Sequence, residues 1–164
     1  MNSVAGEPSY IFAYGSNLLR SRIQARCPSV ALHGIGYTTH RRVLFDKRSD
    51  DGSGKANAAY TGSAEDRIWG VLHTMSPEDK AKLDIHETGS ALEQILVHRG
   101  DGTATPAVTY VAHEACRASG LAPYDWYLAY VVHGAREQGL PPAYVERLAA
   151  VEFTVDPHPP GGLH

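Results

Sequence analysis

Two stretches of this 164-residue chain place chemically able residues at useful spacings. The first is Tyr14-Gly15-Ser16-Asn17-Leu18. A β-branched and aromatic run from Tyr10 to Tyr14 reads as a strand, and the Gly-Ser-Asn cluster after it can turn the chain and cap a helix. Backbone N–H groups at such a junction, facing the positive end of a helix dipole, suit a carboxylate or a developing oxyanion. The same pattern also makes an ordinary capped turn. The second stretch is Leu83-Asp84-Ile85-His86-Glu87-Thr88-Gly89, where a carboxylate leaves the C-terminal end of a helix among apolar neighbours. A helix C-terminus and partial burial both disfavour the ionised form, which moves Glu87 toward the range useful to a general acid/base. Asp84 and Glu93 are rivals that spacing leaves open, as is a solvated helix-end carboxylate.

Other templates find no support. Asp50-Asp51-Gly52-Ser53-Gly54-Lys55-Ala56 lacks the leading glycine of a phosphate loop, and Ala56 cannot offer a hydroxyl to magnesium, so it reads as a flexible loop entering a strand. No serine sits in G-x-S-x-G. The nine histidines include no H-x-H, H-x-x-x-H or H-E-x-x-H pair, so no metal and no cofactor is expected, and the histidines are read as surface or satisfied core residues. Cys27 and Cys116 form no C-x-x-C motif or disulfide framework and fit a reducing compartment.

The elements that must position the two stretches follow from periodicity. After Asn17, residues Leu18, Leu19, Ile23 and Cys27 share a helical face with arginines opposite, and Pro28 ends the helix. Segments 34–46, 56–61 and 67–74 read as successive strands. Ser76-Pro77-Glu78-Asp79 offers an N-cap, a proline at the first helical position and an acidic first turn, which starts a helix toward Ile85. Residues 92–99 and 104–113 flank a glycine-containing connection and read as a hairpin, with Pro106 at an edge or strand start. A helix over 124–138 stops at Gly139, and Pro141-Pro142 starts another through Ala150.

With 43% hydrophobic and 20% charged residues, the chain has the composition of a folded globular protein. Fifteen basic against eighteen acidic residues leave a net charge of −3, with no basic block of the kind that tracks nucleic acid. No apolar run is long enough to span a membrane, and the N-terminus resembles no secretory signal. The expectation is a cytoplasmic protein with a small-molecule partner and no nucleic acid or membrane partner. It comprises a flexible N-terminus (1–9), one α+β domain (10–153) with a largely consecutive sheet, and a flexible tail (154–164). A homodimer is admitted as one option.

Taken together, Phe12-Ala13-Tyr14-Gly15-Ser16-Asn17-Leu18, the path from Trp69-Gly70-Val71-Leu72 to Leu83-Asp84-x-x-Glu87, and Gly134-Ala135-Arg136-Glu137-Gln138-Gly139-Leu140-Pro141 resemble the γ-glutamylcyclotransferase family in order and spacing. The resemblance runs from about Tyr10 to Glu152. It implies a small mixed β-barrel flanked by helices, with substrate in a cavity at one mouth of the barrel. It also implies that Glu87 is the catalytic general base and that Ile11, Phe12, Ala13, Tyr14, Gly15, Ser16 and Asn17 contact the γ-glutamyl group. A family tyrosine falls on Tyr127, which reads equally as a core aromatic of its helix. The reaction implied is attack of the α-amine on its own γ-carbonyl, releasing 5-oxoproline and a free amine without a cofactor. A binding module for γ-glutamyl or amino-acid-like ligands and a γ-glutamyl amide hydrolase are the alternatives.

The chain departs from the family pattern at two places. The family usually has Glu-Gly after LDxx, whereas here Glu87 is followed by Thr88-Gly89, and Gln94 stands where a tyrosine is expected. Both suggest an altered rim and a substrate other than the usual small γ-glutamyl amino acids. A related branch that removes γ-glutamyl protecting groups from antibiotic intermediates uses the same cyclisation.

Overall fold

A computed structural model describes residues 9–161, so most of the expected flexible N-terminus and residues 162–164 of the tail lie outside the described residues. The elements run β1 (Ile11–Ala13), a 3-10 turn (Ser16–Leu18), α1 (Arg20–Arg26), β2 (Ala31–Thr39), β3 (Arg41–Arg48), β4 (Gly54–Tyr60) and β5 (Arg67–Thr74). They continue with α2 (Pro77–His86), β6 (Ser90–Arg99), β7 (Ala104–Ala112), a second 3-10 turn (Glu114–Cys116), α3 (Asp125–Glu137) and α4 (Pro142–Ala149).

Five strands close a barrel in the order β1-β5-β2-β6-β7, and β3-β4 form a separate two-stranded sheet. The barrel is mixed. Its pairs are antiparallel except at the seam, where β1 runs parallel to β7 with Ile11 beside Val108. The expectation of a largely consecutive sheet is thereby corrected. The predicted strand 34–46 is two strands, broken at His40, whose φ of 67° lies in the left-handed region. That break turns the chain out of the barrel into β3 and lets β5, rather than β3, pair with β2.

β5 is nearly continuous in burial because both its faces are covered. Ile68 and Leu72 join Phe12 and Val97 in the barrel interior, while Val71 packs under α3 with Leu128, Val131 and Ala135. A third cluster, Ile11, Ile23, Cys27, Leu83 and Tyr110, fixes α1 and α2 on the other side. α2 starts as its sequence predicts, with Ser76 Oγ accepting from Asp79 N at 3.2 Å and Pro77 as first helical residue. Within the expected tail, Thr154 N donates to Pro123 O, and Asp156 Oδ2 accepts from Trp126 Nε1 at 2.8 Å, which ties these residues to the start of α3.

The contact that places the 14–18 segment is made by α3 at Gly134. A Cβ there would lie 2.4 Å from Leu19 N and 2.6 Å from Leu18 C, so only glycine lets the helix backbone seat on the 3-10 turn. Gln138 Nε2 adds a hydrogen bond to Leu18 O at 3.0 Å. Alanine is the better helix former by about 1 kcal/mol. Overpacking against backbone costs roughly 1–3 kcal/mol. Gly134→Ala is therefore expected to lower the denaturant midpoint, and an unchanged or raised midpoint would show that α3 does not hold the turn.

Candidate functional site

Where the chain leaves β1, a cavity of about 410 Å³ opens between the 3-10 turn, α1, the end of α2 and the β3–β4 hairpin. Ile11, Phe12, Ala13, Tyr14, Gly15, Ser16, Asn17, Glu87 and Tyr127 all line it. These residues come from three separated parts of the chain, and the fold brings every one of them to the same wall system.

The Tyr14–Asn17 segment is not the mouth of a long helix. Gly15 precedes a three-residue 3-10 turn, Leu18 N and Leu19 N close that turn on Gly15 O and Ser16 O, and α1 begins only at Arg20. Among the described residues, the N–H groups of Gly15, Ser16 and Asn17 have no acceptor and remain as donors beside the cavity. No side chain caps the turn. The donors expected from the sequence are present, but local turn geometry supplies them rather than a helix macrodipole.

Glu87 is the C-terminal residue of α2's last turn, its N–H bonded to Leu83 O and Asp84 O at 3.0 and 3.2 Å. Its side chain is 23% exposed and lines the cavity. Burial raises its pKa above the ordinary carboxylate value, and Lys47, Arg26 and Arg22 pull the other way without cancelling the rise. Lys47 Nζ sits 3.7 Å from Glu87 Oε2 and is held in place by donating to Ser90 Oγ at 2.7 Å. The two rivals lie elsewhere. Asp84 accepts from Lys80 and Tyr110 outside the cavity wall, and these bonds hold its pKa down despite partial burial. Glu93 pairs with Arg41 at 2.8 Å in a separate groove.

The hydroxyls of the two tyrosines are occupied. Tyr14 Oη accepts from Ala58 N at 3.1 Å and donates to Tyr110 O. Tyr127 Oη accepts from Ala56 N at 3.0 Å and also interacts with Ser16. Burial raises both phenol pKa values, Tyr127's to about 12, so both stay neutral at ordinary pH. Each tyrosine thus combines a cavity-lining ring with a structural hydroxyl, which joins the two readings the sequence left open for Tyr127.

Sequence reasoning missed the cations. The arginines of α1 do not all face away from the apolar stripe: Arg22 is only 5% exposed and, with Arg26, lines the cavity. Arg22 Nε donates to Ser16 Oγ and Arg26 Nη1 to Asn17 Oδ1, both at 3.1 Å. Burial and the neighbouring Arg26 lower the pKa of Arg22 to about 10, which leaves it charged at neutral pH. The i, i+4 spacing of these arginines just after the Gly-Ser-Asn segment was the available signal.

The 50–56 stretch, expected as a flexible loop entering a strand, is a turn closed by Ser49 N to Ser53 O and Gly52 N to Ser49 O bonds that runs into β4 at Gly54. It carries Lys47 and Lys55 into the cavity wall, with Lys55 Nζ lying 4.2 Å from the Tyr127 ring centroid and 4.5 Å from that of Trp126. His73 also lines the cavity and is not a satisfied core histidine. Its Nε2 has no partner, and burial lowers its pKa to about 4, so the ring is neutral. Thr88 is part of the wall, whereas Gln94 is exposed on β6 and does not line the cavity, so the altered rim lies at Thr88. Among the described residues no group of three or more His, Cys, Asp or Glu is placed to hold a metal ion. No described helix is long and apolar enough to cross a membrane.

Comparison with known proteins gives a consistent set of likenesses. The AIG2-like family model matches residues 67–148. A Homo sapiens protein named Gamma-glutamylcyclotransferase is 30% identical over 155 residues, covering 89% of this chain and 80% of the relative. A Bos taurus protein of the same name is 28% identical over 165 residues, covering 93% and 83%. A solved structure named Gamma-glutamyl cyclotransferase superposes with a TM-score of 0.83 at 27% identity, covering 96% of this chain and 94% of that one.

The opposition between burial and Lys47 at Glu87 has a direct consequence. Lys47→Met removes the strongest lowering influence and leaves the desolvation in place, so the Glu87 carboxyl is expected to titrate at still higher pH. Carbon-detected NMR of the labelled carboxyl checks this; a titration midpoint that stays put or falls would mean that Lys47 does not act on Glu87.

Proposed function

The chain belongs to the γ-glutamylcyclotransferase family of AIG2-like proteins, and we propose that it converts a γ-glutamyl amide to 5-oxoproline and a free amine. The observation that carries this reading is the placement of Glu87, with its raised pKa, in the same cavity as the unpaired N–H groups of Gly15 and Ser16.

The reaction is internal to the substrate. The α-amine nitrogen attacks the γ-carbonyl carbon, a carbon–nitrogen bond closes the five-membered lactam, and the original amide bond breaks. Nucleophile and electrophile share one molecule, so a folded near-attack conformer is worth a high effective molarity. The α-amine is largely ammonium at neutral pH, and Glu87 as carboxylate takes its proton. Glu87 returns that proton to the departing nitrogen and takes the second proton that the attacking nitrogen loses as the lactam N–H forms, which leaves with the released amine as its ammonium, so one residue serves as base and as acid. Burial that raises its pKa brings the two roles closer in free energy. The N–H donors of the 15–17 segment serve to stabilise the charge that gathers on the carbonyl oxygen, a type of stabilisation often worth a few kcal/mol. Their backbone origin means that no side-chain substitution removes them directly. Two free cysteines support action in a reducing compartment such as the cytoplasm.

Glu87→Gln keeps the shape and loses the proton acceptor, so turnover is expected to fall by about 10²–10⁴-fold or more with an unchanged unfolding midpoint. Products from γ-glutamyl dipeptides, glutathione and γ-glutamyl amines are read by mass spectrometry. Free glutamate in place of 5-oxoproline would mean that water attacks and would make the protein a hydrolase. Near-normal turnover in the variant would move the base away from Glu87.

The pH dependence follows in sign. Since the raised carboxyl must be ionised to accept a proton, kcat/KM is expected to rise through an acid limb lying above the ordinary carboxylate range. An acid limb at or below the usual carboxylate pKa would separate Glu87 from the proton transfer.

A further inference from the structure

Arg22 and Arg26 sit one helical turn apart on α1 and line the cavity next to the 15–17 segment. Each is fixed by one loop side chain, Ser16 for Arg22 and Asn17 for Arg26, so the hydrogen bonds that shape the segment also orient the guanidiniums. Neither arginine has a carboxylate within ion-pair distance among the described residues. Arg22 Nη1 and Arg26 Nε are buried without any hydrogen-bond partner.

Two like charges side by side, one of them 5% exposed, form an unfavourable arrangement on its own. A buried charge without a counter-ion is among the costliest features a fold can carry, and an unfilled N–H on a charged group adds to it. Glu87 is too far to pair with either arginine, and Lys47 is closer to it. The guanidinium fork matches a carboxylate better than any other side chain does, with two parallel N–H···O bonds. A carboxylate entering the cavity would bring the missing charge and acceptors together.

We propose that Arg22 and Arg26 form the receptor for the α-carboxylate of the substrate, held against the Ser16–Asn17 turn. This role presupposes the cyclotransferase reading, because it takes the occupant to be a γ-glutamyl amide. It divides the work in the cavity. With the α-carboxylate on the arginines, the N–H donors of Gly15 and Ser16 are left for the oxygen of the γ-carbonyl, and the α-amine, one bond from the carboxylate carbon's neighbour, is directed toward Glu87. Ser16 then has a positioning role through its hydroxyl, since Ser16→Ala would leave Arg22 Nε unpaired.

The test separates carboxylate recognition from lactam recognition. 5-Oxoproline and 2-pyrrolidinone share the lactam ring, and only the first has the carboxylate. Binding of each is followed by NMR titration and by the shift in thermal unfolding, for the wild type, Arg26→Gln and Arg22→Lys. The expected result is tighter binding of 5-oxoproline than of 2-pyrrolidinone by the wild type. Arg26→Gln should weaken 5-oxoproline by tenfold or more and leave 2-pyrrolidinone unchanged, and turnover should show a raised KM with a smaller change in kcat. Arg22→Lys, which keeps the charge and loses the fork, should fall between.

Equal weakening of both ligands in a folded Arg26→Gln variant would overturn the proposal. So would 5-oxoproline binding that survives both arginine substitutions but is lost in Lys55→Met, since the hairpin would then hold the carboxylate. Failure of the wild type both to bind 5-oxoproline and to produce it would instead overturn the cyclotransferase reading itself.

Discussion

β4 has one edge paired with β3 and another that faces the barrel without a strand partner, and the way that edge is satisfied governs the whole site. Backbone N–H groups on alternate residues of a strand point the same way, and a buried one left unpaired is costly. Here Ala56 N goes to the Tyr127 hydroxyl and Ala58 N to the Tyr14 hydroxyl. Between them Asn57 accepts from Ala112 N of β7 and donates to Asp46 of β3. Three side chains thus replace a strand, docking the β3–β4 hairpin on the barrel at a spacing a sixth strand would not leave. The space so kept open becomes the cavity, and the hairpin contributes Lys47 and Lys55 to its wall. Tyr14 belongs to the same segment as Gly15 and Ser16, so the bond that holds the hairpin also holds the donors.

That arrangement sets the electrostatics. Five cations, Arg22, Arg26, Lys47, Arg48 and Lys55, share the cavity with Glu87 and Asp50, and Lys55 is partly offset by Asp51 at 3.8 Å. Burial favours the neutral form of Glu87 while the cations favour the ionised one, and burial wins. A carboxylate in ordinary contact with so many cations would be pushed well below its usual range, where it would hold a proton too weakly to return one. Separation achieves the balance. Lys47 is kept at 3.7 Å by its bond to Ser90, and the arginines are turned toward Ser16 and Asn17. The excess positive charge costs stability in the empty protein, a compromise common at functional sites.

Much of this was legible in the sequence wherever a local rule and the tertiary environment agree. The 67–74 strand and the Pro77 helix appear with the bounds that β-branched patterning and the Ser-Pro-Glu-Asp start predict, because burial on both faces and capping reinforce the local preference. The candidate site residues converge on one cavity for a further reason: the Tyr14–Asn17 turn, the end of α2 and Tyr127 all carry motif residues. What stayed hidden depended on long-range geometry. The strand order turns on one left-handed residue, His40, inside a run whose composition reads as a single strand. Arg22 was assigned to solvent because arginine usually belongs there, whereas its guanidinium lies 5.1 Å from the ring centroid of Tyr130 on α3 and bonds Ser16. The residues 50–56 looked like a failed phosphate loop, and their actual part, presenting Lys55 to Tyr127 and Trp126, has no local signature.

The two departures from the family pattern also separate once they are placed in space. Gln94 is on the outer surface of β6 and can alter the cavity only indirectly, whereas Thr88 directly follows Glu87 and lines the wall. Thr88 Oγ1 is bonded to Ile85 O at 2.7 Å, which fixes the turn between Glu87 and the left-handed Gly89. The substitution therefore constrains the backbone that carries Glu87 as well as the surface a ligand meets. If the arginines hold the α-carboxylate, the amine to be released extends away from α1, toward a wall made by Thr88 and the 47–50 end of the hairpin. The hairpin part of that wall rests on the tyrosine and asparagine bonds to β4 rather than on the barrel ladder. Changes there can alter which amine is accommodated while the turn, Glu87 and the arginines keep their geometry.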